Sequence, residues 1–350
     1  MYHIAQFRTA YAYNTNHRQH TRRNHPENHR RLEAILNLID EVLGQEDLID
    51  LPPLPVTEDT LTLAHHPHYI EFLKQVTRQG SAFIDPDTYV TPDSFEVACH
   101  AVGCVLSCAE AVVRQETDNA FALIRPPGHH ACPERAMGFC LLNNIAIATR
   151  WLQQTQHISR PAIIDFDVHH GNGTQQIFYH DPSVFYISLH QFPLYPGTGL
   201  LTEIGVGEAK GTTLNIPLPA GTGDGGYLQV LHEIVIPALH RFSPDFILLS
   251  AGYDAHWRDP LAQMRLTVTG FAHLITTLHR TSQALCQGRL VLALEGGYDI
   301  EALAYSVIAT LKRLKRPDAS VSDPFPLPTP SLEPDLKALI QQIKALHDLP

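Results

Sequence analysis

The sequence predicts one α/β domain with a mostly parallel central sheet and helices on both faces. Short, continuous apolar runs bounded by turn residues recur along the 350-residue chain, a pattern typical of parallel strands covered on both faces. Longer segments with helical periodicity lie between these runs, and strands that alternate with helices indicate a layered α/β structure. Chemically reactive segments follow four of the runs, at the place where open parallel sheets bind ligands.

Five apolar runs are predicted to be strands, and four longer periodic segments are predicted to be helices. The strands are expected at residues 121–124, 162–164, 184–187, 246–249 and 290–294. The helices are expected at residues 95–114, 143–156, 226–242 and 270–286. The first ninety residues are predicted to be helical and rich in loops, with a helix over residues 31–43.

No internal linker divides the chain, so we predict a single domain over residues 1–350. Its core is expected to span about residues 20–315. A proline-rich segment at 317–334 ends the globular pattern, and a last helix at 335–347 is expected to pack back onto the body.

Composition narrows the class of protein. Apolar residues make up 44% of the chain, and 25 Lys and Arg against 36 Asp and Glu give a formal net charge of −11. This balance argues against a nucleic-acid surface and mildly favours a cationic substrate. The six cysteines form no CxxC pair, and the chain shows neither an apolar signal region nor a run of eighteen apolar residues. We therefore expect a soluble, cytoplasmic protein that does not bind membranes.

A candidate metal site follows two of the predicted strands. Asp167 and His169 are two residues apart in the stretch IIDFDVHHGNG, so on a strand both side chains would point the same way. Asp254, at the end of another strand, is the natural third ligand. Two carboxylates and an imidazole suit a divalent first-row metal and leave a coordination position open, although a buried hydrogen-bonded network is the alternative.

Two adjacent histidines and a tyrosine are candidates for the proton chemistry. His129 and His130 follow a rigid Arg-Pro-Pro-Gly segment and could serve as electrostatic partner and general base. Each needs an acceptor for its other ring nitrogen, and we expect Asp165 for His129 and Asn172 for His130. Tyr298, after two glycines, could stabilise an oxyanion, although a tyrosine packed in a surface turn is the commoner fate of such a motif.

Seven motifs in order carry a family resemblance. They are RPPGHHA at 125–131, GFC at 138–140, DFDVHHGNG at 165–173, SLH at 188–190, YPGTG at 195–199, SAGYD at 250–254 and LEGGY at 294–298. Over about residues 25–308 the chain resembles the zinc-dependent histone deacetylase family, which has the arginase–deacetylase fold. Asn172 and the Leu-Glu pair before the glycines make it most similar to class II or bacterial members.

The resemblance implies a role for each matching residue. It implies zinc ligation by Asp167, His169 and Asp254, although an Asp–His–Asp set also accepts Fe²⁺ or Mn²⁺. It implies a structural potassium ion held by Asp165, Ser188 and the backbone oxygens of Asp167, His169 and Leu189. It implies His130 as general base and acid, His129 as electrostatic partner and Tyr298 as the group that polarises the acyl carbonyl. It implies that Gly138, Phe139, Tyr195 and Leu261 line the substrate tunnel, and that Arg31 lies at the product channel.

Deacetylation of Nε-acetyl-lysine or a similar acylated amine is the activity that the resemblance favours. An acetylpolyamine amidohydrolase shares the same catalytic residues, but such enzymes tend to carry a glutamate where Leu261 stands. A non-catalytic acyl-lysine binding protein would be expected to lack Tyr298 or one of the paired histidines. The family's rim aspartate aligns with Val90, which puts a firm grip on a peptide backbone in doubt, unless the nearby Asp85 or Asp87 replaces it.

Overall fold

A parallel eight-stranded sheet forms the centre of the computed structural model, which describes residues 6–43, 48–325, 327 and 332–350. The strands of the described residues, eight of which belong to this sheet, are β1 (Thr9–Tyr13), β2 (Ile49–Asp50), β3 (Ala82–Asp85), β4 (Thr88–Val90), β5 (Asn119–Leu123), β6 (Pro161–Asp165), β7 (Phe185–Gln191), β8 (Thr213–Leu218), β9 (Phe246–Ala251) and β10 (Leu290–Leu294). The order across the sheet is β2-β1-β5-β10-β9-β6-β7-β8, and every pairing in it is parallel. Strands β3 and β4 form a separate antiparallel hairpin.

Helices cover both faces of the sheet. They are α1 (Arg30–Val42), α2 (Glu58–Leu61), α3 (Pro67–Arg78), α4 (Ser94–Val113), α5 (Asn144–Gln156), α6 (Asn172–Phe178), α7 (Asp224–Val230), α8 (Ile236–Phe242), α9 (Val268–Cys286), α10 (Ile300–Lys315) and α11 (Lys337–Leu346). Helices α1, α9 and α10 pack together, and α4 packs with α5. A π-helical turn at Leu231–Val235 joins α7 to α8, so the predicted helix at 226–242 is one continuous helical segment. The predicted α/β class is confirmed.

Three strands of the sheet were not predicted. Strand β1 lies in the part of the chain predicted to be helical and rich in loops, and it places the sheet ahead of the predicted start of the core at about residue 20. The two-residue β2 is too short to give a pattern. Strand β8 contains Asn215 and Pro217, which weaken a strand prediction, but it lies at the edge of the sheet, where proline is tolerated.

Helix α4 is apolar because the core surrounds it. It is long and apolar enough to cross a membrane by length and composition, yet most of its residues are buried, and it packs against β1, β5 and β10 of the sheet and against α5. The expected C-terminal helix is present as α11, and its Ile340 and Ile343 join the main core. Within the predicted proline-rich segment, residues 326 and 328–331 lie outside the described residues.

Candidate active site

Four neighbouring strands bring the reactive segments together. Strands β5, β10, β9 and β6 are consecutive in the sheet, and the RPPGHH, EGGY, GYD and DVHHGNG segments follow them in that order. Because parallel strands end at the same edge, segments more than a hundred residues apart in sequence meet there. The expectation that these segments build one site is confirmed by their contacts.

Asp167 and His169 converge through a loop rather than through strand geometry. Strand β6 ends at Asp165, so the prediction that both residues stand on the strand is wrong. Asp165 Oδ1 accepts a hydrogen bond from the Asp167 N–H at 3.2 Å, and Asp167 Oδ1 accepts one from the His169 N–H at 2.9 Å. These carboxylate-to-backbone bonds take over where the sheet hydrogen bonds stop, and they hold both side chains on one side.

The three predicted metal ligands form one buried cluster. His169 Nδ1 lies 3.2 Å from Asp167 Oδ1 and 3.1 Å from Asp254 Oδ2. Burial alone would lower the pKa of His169, but its hydrogen bonds to the two carboxylates raise it to about 10. Two buried carboxylates that converge on one imidazole nitrogen need a cation, and a divalent metal offsets their charge better than one proton does.

Glycines make room for this cluster. A Cβ on Gly296 would lie 2.2 Å from Asp254 Oδ2 and 2.6 Å from Asp167 Oδ2, and one on Gly252 would lie 2.1 Å from Asp167 Oδ2. The Asp167 carboxylate also accepts the Gly296 N–H at 2.8 Å. The donor set and the glycine cradle therefore fit a small divalent metal.

His129 is held in its charged form. Its Nδ1 lies 3.0 Å from Asp165 Oδ2, the partner predicted from the sequence. Burial alone would lower the pKa of His129, but the carboxylates of Asp165 and Asp167 raise it to about 10. Tyr186, which the sequence did not single out, donates its hydroxyl to the same Asp165 oxygen at 3.0 Å.

His130 is held neutral. Burial, followed by the positive charges of His129 and His169, keeps the pKa of His130 well below its ordinary value of 6.5. Its Nδ1 lies 2.8 Å from Asn172 Oδ1, as predicted, so Nδ1 carries the proton and Nε2 keeps a free lone pair. The Asn172 amide is oriented in turn, because its N–H₂ group lies 3.3 Å from the Met137 sulfur.

Two buried side chains fix the loop that carries Tyr298. Asp259 Oδ2 accepts the Tyr298 N–H at 2.6 Å. Arg31 donates to the carbonyl oxygens of Glu295 and Gly297 at 2.5 and 2.7 Å, and its guanidinium carbon lies 5.0 Å from the centre of the Tyr298 ring. Burial raises the pKa of Tyr298 well above 10, so the phenol keeps its proton. The structure thus places Arg31 behind the site, beside the tyrosine.

The four predicted tunnel residues line one cavity of about 230 Å³. Gly138, Phe139, Tyr195 and Leu261 share this cavity with His130, His169, Leu194, Tyr298 and Asp87. Gly138 has a φ of +56°, and a Cβ there would lie 2.3 Å from the His130 ring, so glycine is required beside His130.

The rim carboxylate belongs to Asp87. Val90 is fully buried and cannot face a substrate, whereas Asp87 lines the tunnel and accepts the Gly138 N–H at 3.2 Å. Alignment by position in sequence pointed to Val90, but the β3–β4 hairpin turns the earlier residue toward the tunnel. Of the two replacements that the sequence left open, Asp85 and Asp87, it is therefore Asp87 that lies at the tunnel.

Comparisons with known proteins agree with this geometry. A family model described as the histone deacetylase domain matches residues 25–314. The chain belongs to the histone deacetylase family. It is 41% identical to a probable deacetylase of Archaeoglobus fulgidus over 92% of both chains. It is 37% identical to the histone deacetylase-like amidohydrolase of Pseudomonas aeruginosa, over 86% of this chain and 78% of that protein.

A solved structure of the family shares the fold. The crystal structure of an HDA15 HD domain superimposes with a TM-score of 0.87 at 31% identity, covering 97% of this chain and 96% of that one. Histone deacetylase 14, chloroplastic, of Arabidopsis thaliana is 38% identical over 94% of this chain and 82% of its own length. The family consists of enzymes that hydrolyse amides with the help of a metal, and this deacetylase-family chain has a matching buried ligand group.

The residues expected to hold a monovalent cation lie at and just after the end of β6 and in the middle of β7. Asp165 and Ser188 are paired across the two strands. Asp165, Asp167 and Ser188 are fully or almost fully buried, and Leu189 follows Ser188 on the strand. Ser188 Oγ lies 2.9 Å from His190 Nδ1. The sequence assigned no direct role to His170. This histidine is buried outside the ligand cluster, and its two ring nitrogens form hydrogen bonds with Thr198 and Gln175.

Two buried carboxylates that support the site were not predicted. Glu295 accepts the backbone N–H groups of Gly128 and His129 at 2.6 and 3.1 Å, so it ties the histidine loop to β10. Glu27 lies between Arg125 and Arg31, and its oxygens are 2.6 and 3.4 Å from their guanidinium nitrogens. Glu295 belongs to the LEGGY motif and Glu27 lies outside the seven motifs, and only the fold shows what the two side chains hold.

Proposed function

We propose that this histone deacetylase-family protein removes acyl groups from Nε-acetyl-lysine or a similar acylated amine, with a divalent metal held by Asp167, His169 and Asp254. One observation carries the proposal: a buried Asp–His–Asp cluster, a neutral imidazole and a protonated phenol meet at one narrow tunnel. The cavity matches an extended alkyl chain ending in an amide, and its walls are largely apolar.

The metal and the chain divide the chemistry. When bound, a divalent metal supplies Lewis acidity to water and to the acyl oxygen. Zinc is the ion we propose, with Fe²⁺ or Mn²⁺ compatible with the same ligands. We further propose a potassium ion between the end of β6 and the middle of β7, held by Asp165, Ser188 and neighbouring backbone oxygens, where it would offset the buried acidic charge.

The proton steps fall to His130. With its Nδ1–H donated to Asn172, its Nε2 can take a proton from the attacking water and later hand a proton to the leaving amine. The neutral state imposed by burial is the one that a base needs, and the charge on His129 would stabilise negative charge that develops beside it.

Tyr298 donates a hydrogen bond to the acyl oxygen as it becomes an oxyanion. Its hydroxyl keeps its proton, its ring lines the tunnel, and Asp259 and Arg31 hold its loop in place. We also propose a reducing, cytoplasmic setting, which the six free thiols support.

A paired substrate assay tests the function. The purified protein, loaded with Zn²⁺, Fe²⁺ or Mn²⁺, is given an acetyl-lysine peptide or acetylspermidine, with and without a chelator. We expect chelator-sensitive release of acetate with a preference for the peptide, because Leu261 supplies no negative charge for a polyamine. No turnover of either substrate with any metal would refute the enzymatic proposal, and a preference for acetylspermidine would favour a polyamine amidohydrolase.

A further inference from the structure

A second cavity lies beside the tunnel. It has a volume of about 510 Å³ and is formed by residues between Thr21 and Arg30 together with Pro260 and Tyr298. We call it the basic pocket, because Arg22, Arg23 and Arg30 line it and no carboxylate of the described residues does. Three arginines around one cavity stand out in a chain whose formal net charge is −11.

The basic pocket and the tunnel share a wall. Tyr298 lines both cavities, and Pro260 of the basic pocket precedes Leu261 of the tunnel. His25 of the basic pocket packs edge-on against Phe139 of the tunnel, with ring centres 4.8 Å apart. A substrate whose acylated side chain fills the tunnel therefore places the atoms that bear this side chain next to the basic pocket.

The three guanidinium groups are available for a ligand. Within residues 6–43, 48–325, 327 and 332–350, none of them forms an ion pair, and all three side chains are exposed. The guanidinium carbon of Arg22 lies 4.3 Å from the centre of the Phe83 ring, a contact with the ring face that does not use the N–H donors of the arginine. The nearby Glu33 is already paired with Arg18 at 2.6 Å.

We infer that the basic pocket binds a carboxylate carried by the substrate close to its acylated amine, so that the enzyme prefers acidic substrates. This inference rests on the proposed function and names its substrate class. Arginine forks pair with carboxylates through two parallel hydrogen bonds, whereas a polyamine would meet three like charges. The net charge of the chain suggested a cationic substrate, but charges more than about 8–10 Å away are screened. Close to the mouth of the tunnel, the three arginines of the basic pocket outnumber the one carboxylate of the described residues that lines the tunnel, Asp87.

Matched peptides provide the first test. Acetyl-lysine is flanked on both sides by Glu, by Gln or by Lys, and kcat/KM is measured for each peptide at low and high salt. Exposed ion pairs of this kind are worth a few tenths of a kcal/mol to about 1 kcal/mol each, so we expect the Glu peptide to exceed the Lys peptide about tenfold. The ratio should shrink at high salt. A wild-type ratio near one, together with no preference for free Nε-acetyl-lysine over its α-carboxamide, would overturn the inference, whereas no turnover of any of these substrates would instead refute the proposed function.

Substitution of the arginines provides the second test. In the triple variant Arg22→Gln, Arg23→Gln, Arg30→Gln we expect the Glu-to-Lys ratio of kcat/KM to fall to near one. A smaller fraction of active enzyme lowers kcat/KM for both peptides by the same factor, so it leaves their ratio unchanged. If this variant does not fold, the salt dependence of the wild-type ratio decides.

A matched control separates the pocket from overall charge. The triple variant Arg78→Gln, Lys210→Gln, Arg280→Gln removes the same net charge from three exposed cations that do not line the basic pocket. It should keep the wild-type ratio. An equal fall in both triple variants would show that overall charge, rather than the pocket, sets the preference, and would overturn the inference.

The carboxylate could come from a neighbouring side chain or from the acyl-lysine itself. Comparing free Nε-acetyl-lysine with its α-carboxamide distinguishes these sources. A preference for the free acid points to a small amino-acid substrate, and a preference for Glu-flanked peptides points to a protein substrate. Either result supports a carboxylate site, and neither preference would overturn it.

Discussion

Replacing Glu27 by Gln should destabilise the protein strongly, because this buried carboxylate neutralises two buried arginines. Glu27, Arg125 and Arg31 are each fully shielded from solvent. Arg125 donates to the two Glu27 oxygens at 2.8 and 2.6 Å, and the Tyr89 hydroxyl lies 3.4 Å from one of them. The amide keeps the volume of the side chain but leaves two positive charges without a negative partner.

The size of the effect follows from the burial of this cluster. Removing one partner of a buried ion pair typically costs about 3–5 kcal/mol, because the other charge is left uncompensated. Burial alone would raise the pKa of Glu27, but Arg125, His20 and Arg31 lower it from 4.5 to about 2. A shift of that size corresponds to about 3 kcal/mol at neutral pH. We therefore expect Glu27→Gln to lower the free energy of unfolding by about 3–5 kcal/mol.

Urea unfolding at neutral pH, followed by circular dichroism, measures the change. Glu33→Gln is the matched control, because Glu33 lies in the first turn of α1 and pairs with the exposed Arg18, so its loss should cost about 1 kcal/mol or less. If Glu27→Gln costs no more than the control, the buried cluster does not contribute as the structure indicates.

The pH dependence of the free energy of unfolding provides an independent test of the role of Glu27. The folded-state pKa of Glu27 lies below its ordinary value, so its contribution is complete above about pH 4.5 and is lost as the pH falls toward 2. The wild-type protein should therefore lose stability more steeply than Glu27→Gln over this range. If the free energy of unfolding of the two proteins falls equally steeply as the pH is lowered through this range, Glu27 does not stabilise the folded protein as proposed.

Three further predictions address the site and its support. Tyr298→Phe should lower kcat by about 10²-fold or more while metal content, measured by mass spectrometry, stays at the wild-type level; near-normal kcat would remove the phenol from the mechanism. Gly296→Ala should abolish stoichiometric metal binding, because its Cβ would lie 2.2 Å from Asp254 Oδ2 and 2.6 Å from Asp167 Oδ2, and unaltered metal affinity would show that the cluster can move aside. Glu333→Ala should lower the free energy of unfolding by about 1 kcal/mol, since its carboxylate accepts three backbone N–H groups at the start of α7 at 2.7–3.0 Å; no change in the urea midpoint would mean that this cap contributes nothing.

Much of the site could be predicted because its parts are local in sequence. Asp167, His169 and Asp254 follow strands whose apolar runs are plain, and parallel strands bring their ends to one edge whatever their order. The partners of His129 and His130 could also be predicted, because a buried imidazole needs an acceptor and few were in reach. The family resemblance then supplied the tunnel residues, which do share one cavity.

The sequence by itself determined the α/β class, five of the strands and the reactive segments. These features could be predicted because the local spacing of apolar residues indicates which segments are buried strands or helices. Only the tertiary structure decided that Asp87 rather than Val90 faces the tunnel, that Glu27 neutralises Arg125 across 98 positions, and that the loop near residue 22 opens a basic pocket beside Tyr298. These contacts join residues that are far apart in the sequence and meet only when the chain has folded. A local sequence pattern therefore does not indicate which side chains will be partners.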